Sequence, residues 1–292
     1  MTDGLLVMAY GTPASRDDVA PYYTDIRRGR PPTDEQLADL LRRYDAIGGV
    51  SPLRARTEAQ VACIAAELGG GWQVALGYKH TAPFIEDAAA TLADREHVVG
   101  LVLAPHYSAL SVGEYLGRAA KVLPSLVPVT SWHLADGYVD ALAARVREAL
   151  VSMPENTEVV FTAHSLPARV TDMGDPYADE ITQTALVVAE RAGVQRWSTG
   201  WQSAGRTPEP WLGPDILDVI RTKAGDGVPG VLVCPCGFVS DHLEVLYDLD
   251  VDAARVAAEA GIAFARTRSL NDDPALCRTL ATVVRHAATS TP

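Results

Sequence analysis

Basic residues are in short supply in this sequence: 25 Lys and Arg stand against 37 Asp and Glu, for a formal net charge of −12. A charge of this sign repels the phosphate backbone of a nucleic acid and an anionic membrane surface. Long apolar runs are also missing, and the first short one, residues 5–9, has no basic segment before it. We therefore expect no signal peptide and no membrane span, and we predict a cytoplasmic protein that binds neither nucleic acid nor, stably, a membrane.

Cysteine is scarce as well, and the chain has only Cys63, Cys234, Cys236 and Cys277. Disulfide bonds are rare in a reducing compartment, so we expect none and interpret each cysteine as a small buried apolar residue. Cys234 and Cys236 stand two positions apart in an apolar run, and no second close pair completes a set of metal ligands. We therefore predict no structural metal site at these cysteines.

What the sequence does contain is an alternation of short apolar runs with amphipathic stretches. Its 292 residues and 48% hydrophobic content allow one large domain or two smaller ones. Thr57 and Gln60 form a capping-box pattern that predicts the start of one amphipathic helix. Apolar runs separated by helices are typical of a parallel α/β sheet. Eight runs predict strands, at residues 5–9, 73–76, 98–104, 127–130, 158–162, 197–201, 231–235 and 262–265.

The two halves of the chain resemble each other. Residues 6–13 (LVMAYGTP) have the outline of residues 160–167 (VFTAHSLP), and residues 101–116 align without gaps on residues 231–246. This repeat predicts two similar α/β lobes in firm contact, residues 1–137 and 138–292. Because ligands of parallel sheets bind outside the carboxyl ends of the strands, we expect a cleft between the lobes, lined by the turns that follow the strands.

Polar side chains stand where these strands end. His164 follows an apolar strand and is succeeded by Ser-Leu-Pro, which places an imidazole at the predicted cleft. An imidazole there can bind a metal or act as a base near neutral pH, although a local cap is an alternative interpretation. Tyr10 occupies the corresponding position in the first half, so its phenol is predicted to point into the same cleft.

Acidic residues recur at helical spacing after another strand. Glu244, Asp248 and Asp252 follow each other at intervals of four, which predicts a column on one helical face. Neighbouring carboxylates repel one another and raise each other's pKa unless a cation or a proton uses them. The column therefore favours a site for metal or proton traffic, and the alternative is a solvated acidic face.

Arginines cluster beside aromatic residues despite the acidic composition. Residues 22–30 (YYTDIRRGR) and residues 42–44 (RRY) hold both types. Arginine binds carboxylates through paired hydrogen bonds, and aromatic rings stack on flat ligands. The pattern indicates a flat, apolar ligand with several carboxylates, while surface arginines in weak ion pairs remain the alternative.

Taken together, these segments resemble the ferrochelatase family over nearly the whole chain, and most closely the soluble coproporphyrin III ferrochelatases of Gram-positive bacteria. The resemblance implies two Rossmann-like lobes, each a parallel four-stranded sheet flanked by helices, with the porphyrin between them and the last helix returning toward the first lobe. It implies insertion of Fe²⁺ into coproporphyrin III in haem biosynthesis, with no cofactor beyond the substrate iron. The matching segments are residues 6–13, 22–30, 43–53, 77–87, 103–115, 163–167, 200–214 and 237–248.

The resemblance also assigns residues. His164 and Glu244 are implied to face each other as the catalytic, metal-binding pair, with Tyr10 on the opposite porphyrin face. From the acidic column itself, we expect Asp248 and Asp252, behind Glu244, to pass protons or metal onward. Contacts to the macrocycle or its propionates are implied for Arg27, Arg43, Tyr44, Ser51 and Tyr115, and Lys79 and His80 belong to a Gly-x-Lys-His motif of the family.

Other features separate the branches of the family. Tyr10 in Ala-Tyr-Gly-Thr favours the coproporphyrin branch over a protoporphyrin IX ferrochelatase. Residues 104–108 hold no cysteine and the chain ends soon after His286, so we expect no iron–sulfur cluster. We also expect a monomer that meets other enzymes of the haem pathway only transiently. A cobalt or nickel chelatase, which should prefer two histidines at the metal, and a non-catalytic haem or porphyrin carrier remain as alternatives.

Overall fold

The computed structural model describes residues 3–205 and 207–290, and the strands of that part form two sheets in which all neighbours are parallel. The eight strands are β1 (Asp3–Ala9), β2 (Trp72–Tyr78), β3 (Val98–Val102), β4 (Val127–Val129), β5 (Glu158–His164), β6 (Trp197–Gln202), β7 (Gly230–Cys234) and β8 (Ala263–Arg266). Their order is β2-β1-β3-β4 in one sheet and β6-β5-β7-β8 in the other. The predicted α/β class with two four-stranded parallel sheets is confirmed, and each predicted strand overlaps an observed one.

Helices join successive strands, and the polar residues that cap them are readable in the sequence. Thr33 and Gln36 form a capping box, and the carboxylates of Asp215 and Asp273 accept hydrogen bonds from the first turn of their helices. No helix in the described ranges is long and apolar enough to cross a membrane. In that part of the chain the helices are α1 (Val19–Ile26), α2 (Asp34–Ala46), α3 (Leu53–Leu68), α4 (Ile85–Ala90), α5 (Val112–Ala120), α6 (Asp136–Leu150), α7 (Arg169–Asp172), α8 (Tyr177–Ala192), α9 (Ile216–Gly225), α10 (Leu243–Leu246), α11 (Ala254–Ala260) and α12 (Pro274–Thr289), with a π-helix at Asp248–Ala253.

The internal repeat corresponds to equivalent places in the two sheets. β1 and β5 each lie second in their sheet, and β3 and β7 each lie third. Tyr10 and His164 therefore stand at matching strand ends, as the repeat predicted. The sheets also share one apolar core, to which Leu5 of the first sheet and Phe161 of the second both belong. The boundary at residue 137 stays a prediction, because the two lobes are continuous through this core.

The start of α3 differs from the prediction. The helix begins at Leu53, so Thr57 and Gln60 lie inside it and both are buried. The Gln60 side chain donates to the carbonyl of Asn271 at 2.8 Å and accepts from the Ser240 hydroxyl at 3.0 Å. Gln60 thus belongs to the contact between the lobes, and neither Gln60 nor Thr57 caps the helix.

The expectation of no disulfide is wrong. Cys63 of α3 and Cys277 of α12 are bonded, with Cα atoms 5.8 Å apart. α12 returns to pack against α3, and this contact brings together two cysteines that are 214 positions apart in the chain. Cys234 and Cys236 are free and buried, as expected.

Reduction of this bond should destabilise the protein. Because the disulfide closes a loop that spans both lobes, Cys63→Ser should lower the free energy of unfolding by about 2–4 kcal/mol relative to the oxidised wild type. Denaturant unfolding with and without a thiol reductant checks this. The reductant should lower the free energy of unfolding of the wild type and leave that of Cys63→Ser unchanged. Equal free energies of unfolding for the oxidised wild type and the variant would contradict the expectation.

Candidate active site between the two sheets

A cleft of about 1080 Å³ lies at the carboxyl ends of the strands, with walls from both sheets. This volume lies just above the usual range of about 300–1000 Å³ for sites that bind small molecules. Nine of the residues predicted for function line it: Tyr10, Arg43, Tyr44, Ser51, Lys79, His80, Tyr115, His164 and Glu244.

His164 and Glu244 meet in the wall formed by the second sheet. Nε2 of His164 lies 3.5 Å from Oε1 of Glu244, and each side chain is about one-third exposed, at 34% and 32%. The other ring nitrogen, Nδ1, lies 2.5 Å from the carbonyl oxygen of Ser165. A carbonyl oxygen only accepts hydrogen bonds, so Nδ1 carries a proton and Nε2 is the atom presented to Glu244.

Each partner shifts the pKa of the other. Burial lowers the pKa of His164, but the charge and hydrogen bond of Glu244 outweigh burial and raise it above the ordinary 6.5. Burial would raise the pKa of Glu244, yet His164, together with His242, holds it well below its usual range. The pair therefore favours an imidazolium facing a carboxylate in the unliganded protein.

This coupling predicts a titration. In the wild type without ligands, the His164 ring should titrate above pH 6.5, whereas in Glu244→Gln its pKa should fall, because the opposite charge is gone and burial remains. NMR of the histidine ring signals against pH measures both values. An unchanged His164 pKa in Glu244→Gln would show that the pair is not coupled.

Two further residues hold Glu244 in place, and the sequence interpretation assigned them no role. His242 donates from Nδ1 to the carbonyl of Ser240 at 2.9 Å, and its Nε2 lies 3.6 Å from Oε2 of Glu244. Gln202 is buried, donates to the backbone carbonyl of Glu244 at 2.8 Å and accepts from the hydroxyl of Thr162 at 2.9 Å. In the sequence, a role for His242 was indicated only by its place in Asp-His-Leu-Glu, two residues before Glu244. Gln202 could be identified only from the structure, where it pairs with His164 on the neighbouring strand.

The acidic column is not the regular α-helical face that the spacing predicted. α10 ends at Leu246, and the π-helix that follows has a wider turn, so residues four apart no longer stack. Asp248 binds Arg43 at 2.5 Å and the Ser203 hydroxyl at 2.5 Å. Burial and the nearby Glu244 raise the Asp248 pKa, and Arg43 opposes this shift. Asp252 lies 3.6 Å from Arg255, and neither Asp248 nor Asp252 is among the cleft-lining residues of the described chain.

The wall formed by the first sheet carries the phenol and the Gly-x-Lys-His residues. The rings of Tyr10 and His80 pack edge-to-face with centroids 4.6 Å apart. Lys79 binds Glu114 at 2.6 Å and lies over the ring of Tyr115, 5.1 Å from its centroid. These contacts place a cation and two aromatic rings across the cleft from His164.

The predicted carboxylate-binding residues divide into two groups. Arg43, Tyr44 and Ser51 line the cleft, and the last two are buried. Arg27 lies over the ring of Tyr23 at 5.6 Å and is not a lining residue within the described ranges. Its neighbour Arg28, for which no role was predicted, does line the cleft.

Comparison with known proteins agrees with this arrangement. Residues 2–288 match the family model described as Ferrochelatase. The coproporphyrin III ferrochelatase of Anoxybacillus flavithermus is 44% identical, covering 96% of this chain and 95% of the relative. Those of Geobacillus kaustophilus and Bacillus subtilis are each 43% identical, covering 97% and 96% of this chain and 95% and 96% of the relatives. The chain belongs to the ferrochelatase family.

Proposed function

We propose that this protein inserts ferrous iron into coproporphyrin III and so forms coprohaem in haem biosynthesis. The observation that carries the proposal is the pair of His164 and Glu244, 3.5 Å apart in the wall of a cleft between two sheets. The names of the three relatives support it, since each is a coproporphyrin III ferrochelatase. A flat macrocycle with carboxylates suits a cleft that gathers cations and aromatic rings in an acidic chain.

His164 and Glu244 are suited to both parts of the reaction. Imidazole and carboxylate are ligands that Fe²⁺ accepts and exchanges, and each group can also take up a proton. Insertion breaks two pyrrole N–H bonds, and the electron pairs stay on nitrogen to bind the iron. Binding of Fe²⁺ displaces the Nε2 proton of the His164 imidazolium to water. We assign to His164 and Glu244 the receipt of the iron and, after its transfer to the porphyrin, the uptake of one pyrrole proton. We assign the onward passage of protons or iron to Asp248, which interacts electrostatically with Glu244, and to Asp252, which lies farther along the π-helix and pairs with Arg255.

The cleft walls hold the porphyrin. We assign its carboxylates to hydrogen-bonding residues and its ring faces to aromatic side chains. Coproporphyrin III carries more carboxylates than protoporphyrin IX, so several separate cations around the cleft favour the former. The lining residues assigned to these contacts are Arg43, Tyr44 and Ser51 for the carboxylates, Tyr10 and Tyr115 for the ring, and Lys79 and His80 in the wall of the first sheet. Arg27, which lies over Tyr23 and is not a lining residue within the described ranges, is assigned a carboxylate on the resemblance alone.

Loss of Arg43 should weaken porphyrin binding. Arg43→Leu removes a hydrogen-bonding cation from the cleft and leaves its partner Asp248 as an unpaired carboxylate near the anionic ligand. We expect the Kd for coproporphyrin III to rise about tenfold or more. Quenching of protein fluorescence on titration measures Kd, with Arg268→Leu, an exposed partner of Glu148, as the matched control. Equal Kd values in Arg43→Leu and the wild type would remove Arg43 from the binding site.

Turnover separates an enzyme from a carrier. Purified protein is incubated without oxygen with Fe²⁺ and a large excess of coproporphyrin III, and the loss of free-porphyrin fluorescence is followed. We expect many equivalents of metallated product for each protein molecule. Binding that stops at one equivalent without metallation would make the protein a porphyrin carrier.

We also propose the setting in which the protein works. Its net charge of −12, which repels an anionic membrane surface, supports a cytoplasmic enzyme that does not dock stably on membranes. We propose that it acts as a monomer, meets other haem-pathway enzymes transiently, and needs neither an iron–sulfur cluster nor another cofactor besides the substrate iron. Metal analysis and sedimentation of the purified protein check these points.

A further inference from the structure

The wall of the first sheet carries a second imidazole, that of His80, and a carboxylate holds it. Nδ1 of His80 lies 2.7 Å from Oδ2 of Asp25, which belongs to the last turn of α1. Because an ionised carboxylate only accepts hydrogen bonds, Nδ1 carries the proton and Nε2 of the neutral ring keeps its lone pair. His80 and Asp25 both line the cleft.

Backbone hydrogen bonds fix where this ring lies. The N–H groups of Lys79 and His80 donate to the carbonyls of Ala9 and Tyr10, at 2.9 and 3.1 Å, which extends the pairing of β1 and β2 beyond the strands. The His80 ring then packs against the Tyr10 ring, with 4.6 Å between centroids. Asp25, His80 and Tyr10 consequently form a contiguous row along the cleft wall.

Burial, helped by two neighbouring cations, keeps the His80 ring neutral. Burial lowers the pKa of His80, the hydrogen bond and charge of Asp25 offset part of this, and the cations Lys79 and Arg118 lower it further. Lys79 and Arg118 are themselves paired with other acids, Glu114 and Glu86. The uncharged rings of Tyr10 and Tyr22 complete the surroundings. At neutral pH, His80 is therefore an unprotonated base whose carboxylate partner is Asp25.

We propose that His80 accepts one of the two pyrrole protons during iron insertion and that Asp25 is the residue that positions it. This role rests on the proposed function, since it needs a porphyrin in the cleft. His164 lies in the cleft wall formed by the second sheet and His80 in the wall formed by the first. In this proposal, a flat ligand bound between the two walls presents one face to each. Each of the two departing protons then has its own acceptor.

The proton step balances without a further reactant. A pyrrole N–H bond breaks, its electron pair stays on nitrogen and binds Fe²⁺, and the proton forms a bond to Nε2 of His80. The Asp25 carboxylate stabilises the resulting imidazolium, as an opposite charge in contact does. The ring returns to the neutral form by releasing the proton to water at the cleft mouth. No electron is transferred, so neither an oxidant nor a reductant takes part.

The test compares Asp25→Asn, which keeps the size but removes the charge, with Asp25→Glu, which restores it. Asp94→Asn is the matched control, because Asp94 is an exposed acid paired with Arg95 at the surface. ¹⁵N NMR of the protein without substrate reports the His80 tautomer. Steady-state metallation of coproporphyrin III with Fe²⁺ gives kcat and KM. Single-turnover rates measured against pH give the acid limb of the pH–rate profile, where the rate falls because the base becomes protonated.

We expect wild type, Asp94→Asn and Asp25→Glu to show the Nδ1–H tautomer, and Asp25→Asn to show a mixture. In Asp25→Asn, kcat should fall about tenfold with KM within about twofold, and the acid limb should move to lower pH because the His80 pKa falls. Asp25→Glu should recover most of the rate. An unchanged kcat in Asp25→Asn, or an equal loss in Asp25→Asn and Asp25→Glu, would overturn the role of Asp25. Failure of the wild type to metallate coproporphyrin III would instead overturn the proposed function. The tautomer measurement needs no substrate, so it tests the contact between Asp25 and His80 independently of that function.

Discussion

Replacing His164 with alanine is expected to lower kcat for iron insertion by about a hundredfold or more, while coproporphyrin III still binds. The imidazole offers Nε2 to Glu244 and to the cleft, and alanine has no atom that can bind Fe²⁺ or take up a proton there. Porphyrin binding should change little, because the cations assigned to its carboxylates lie elsewhere in the cleft. Metallated absorbance gives kcat and fluorescence quenching gives Kd.

The matched control for this prediction is His97→Ala. His97 is exposed and directly precedes β3, so it lies at the end of the first sheet that is remote from the cleft. Its replacement should leave kcat and Kd unchanged. A His164→Ala protein that metallates coproporphyrin at the wild-type rate would show that the iron does not pass through this pair.

Replacing Glu244 with glutamine should lower kcat by about ten- to a hundredfold and raise the KM for Fe²⁺. Glutamine keeps the shape, and the backbone carbonyl that accepts from Gln202 is untouched, so the fold around α10 should persist. What is lost is the negative charge, which attracts the cation and raises the His164 pKa. Initial rates at varied Fe²⁺ and fixed porphyrin separate the effects on KM and kcat.

Glu148→Gln controls for the loss of one negative charge from the chain. Glu148 is exposed and pairs with Arg268 at the surface, so its replacement should leave both kinetic constants at wild-type values. If Glu244→Gln kept the wild-type KM for Fe²⁺ and the wild-type kcat, the carboxylate would have no part in receiving iron.

The sequence was sufficient to predict the strands of both sheets and many of the residues that line the cleft. Apolar runs such as residues 158–162 are buried on both faces in a parallel sheet, so they stand out without knowledge of the partners. The repeat then predicted that Tyr10 and His164 lie at equivalent strand ends, outside which parallel sheets bind their ligands. Local pattern was enough to predict where these residues lie along their strands, and the repeat was enough to predict that the two strand ends are equivalent.

Features that depend on contacts between distant segments were not predictable in this way. The bond between Cys63 and Cys277 requires knowing that α12 lies on α3. Gln60 is a good capping residue by pattern, but burial between the lobes gives it other partners. The π-helix after Glu244 changes which acids share a face, and spacing alone assumes a regular α-helix.

A competition between the two porphyrins tests the proposed function most directly. Wild-type protein is given limiting Fe²⁺ and equal concentrations of coproporphyrin III and protoporphyrin IX without oxygen, and the two metallated products are quantified by mass spectrometry. The ratio of products equals the ratio of kcat/KM values, so it reports specificity without separate constants. We expect iron-coproporphyrin to predominate, because its additional carboxylates meet the cations of the cleft. Predominance of protoporphyrin haem, or the absence of both products, would contradict the proposal.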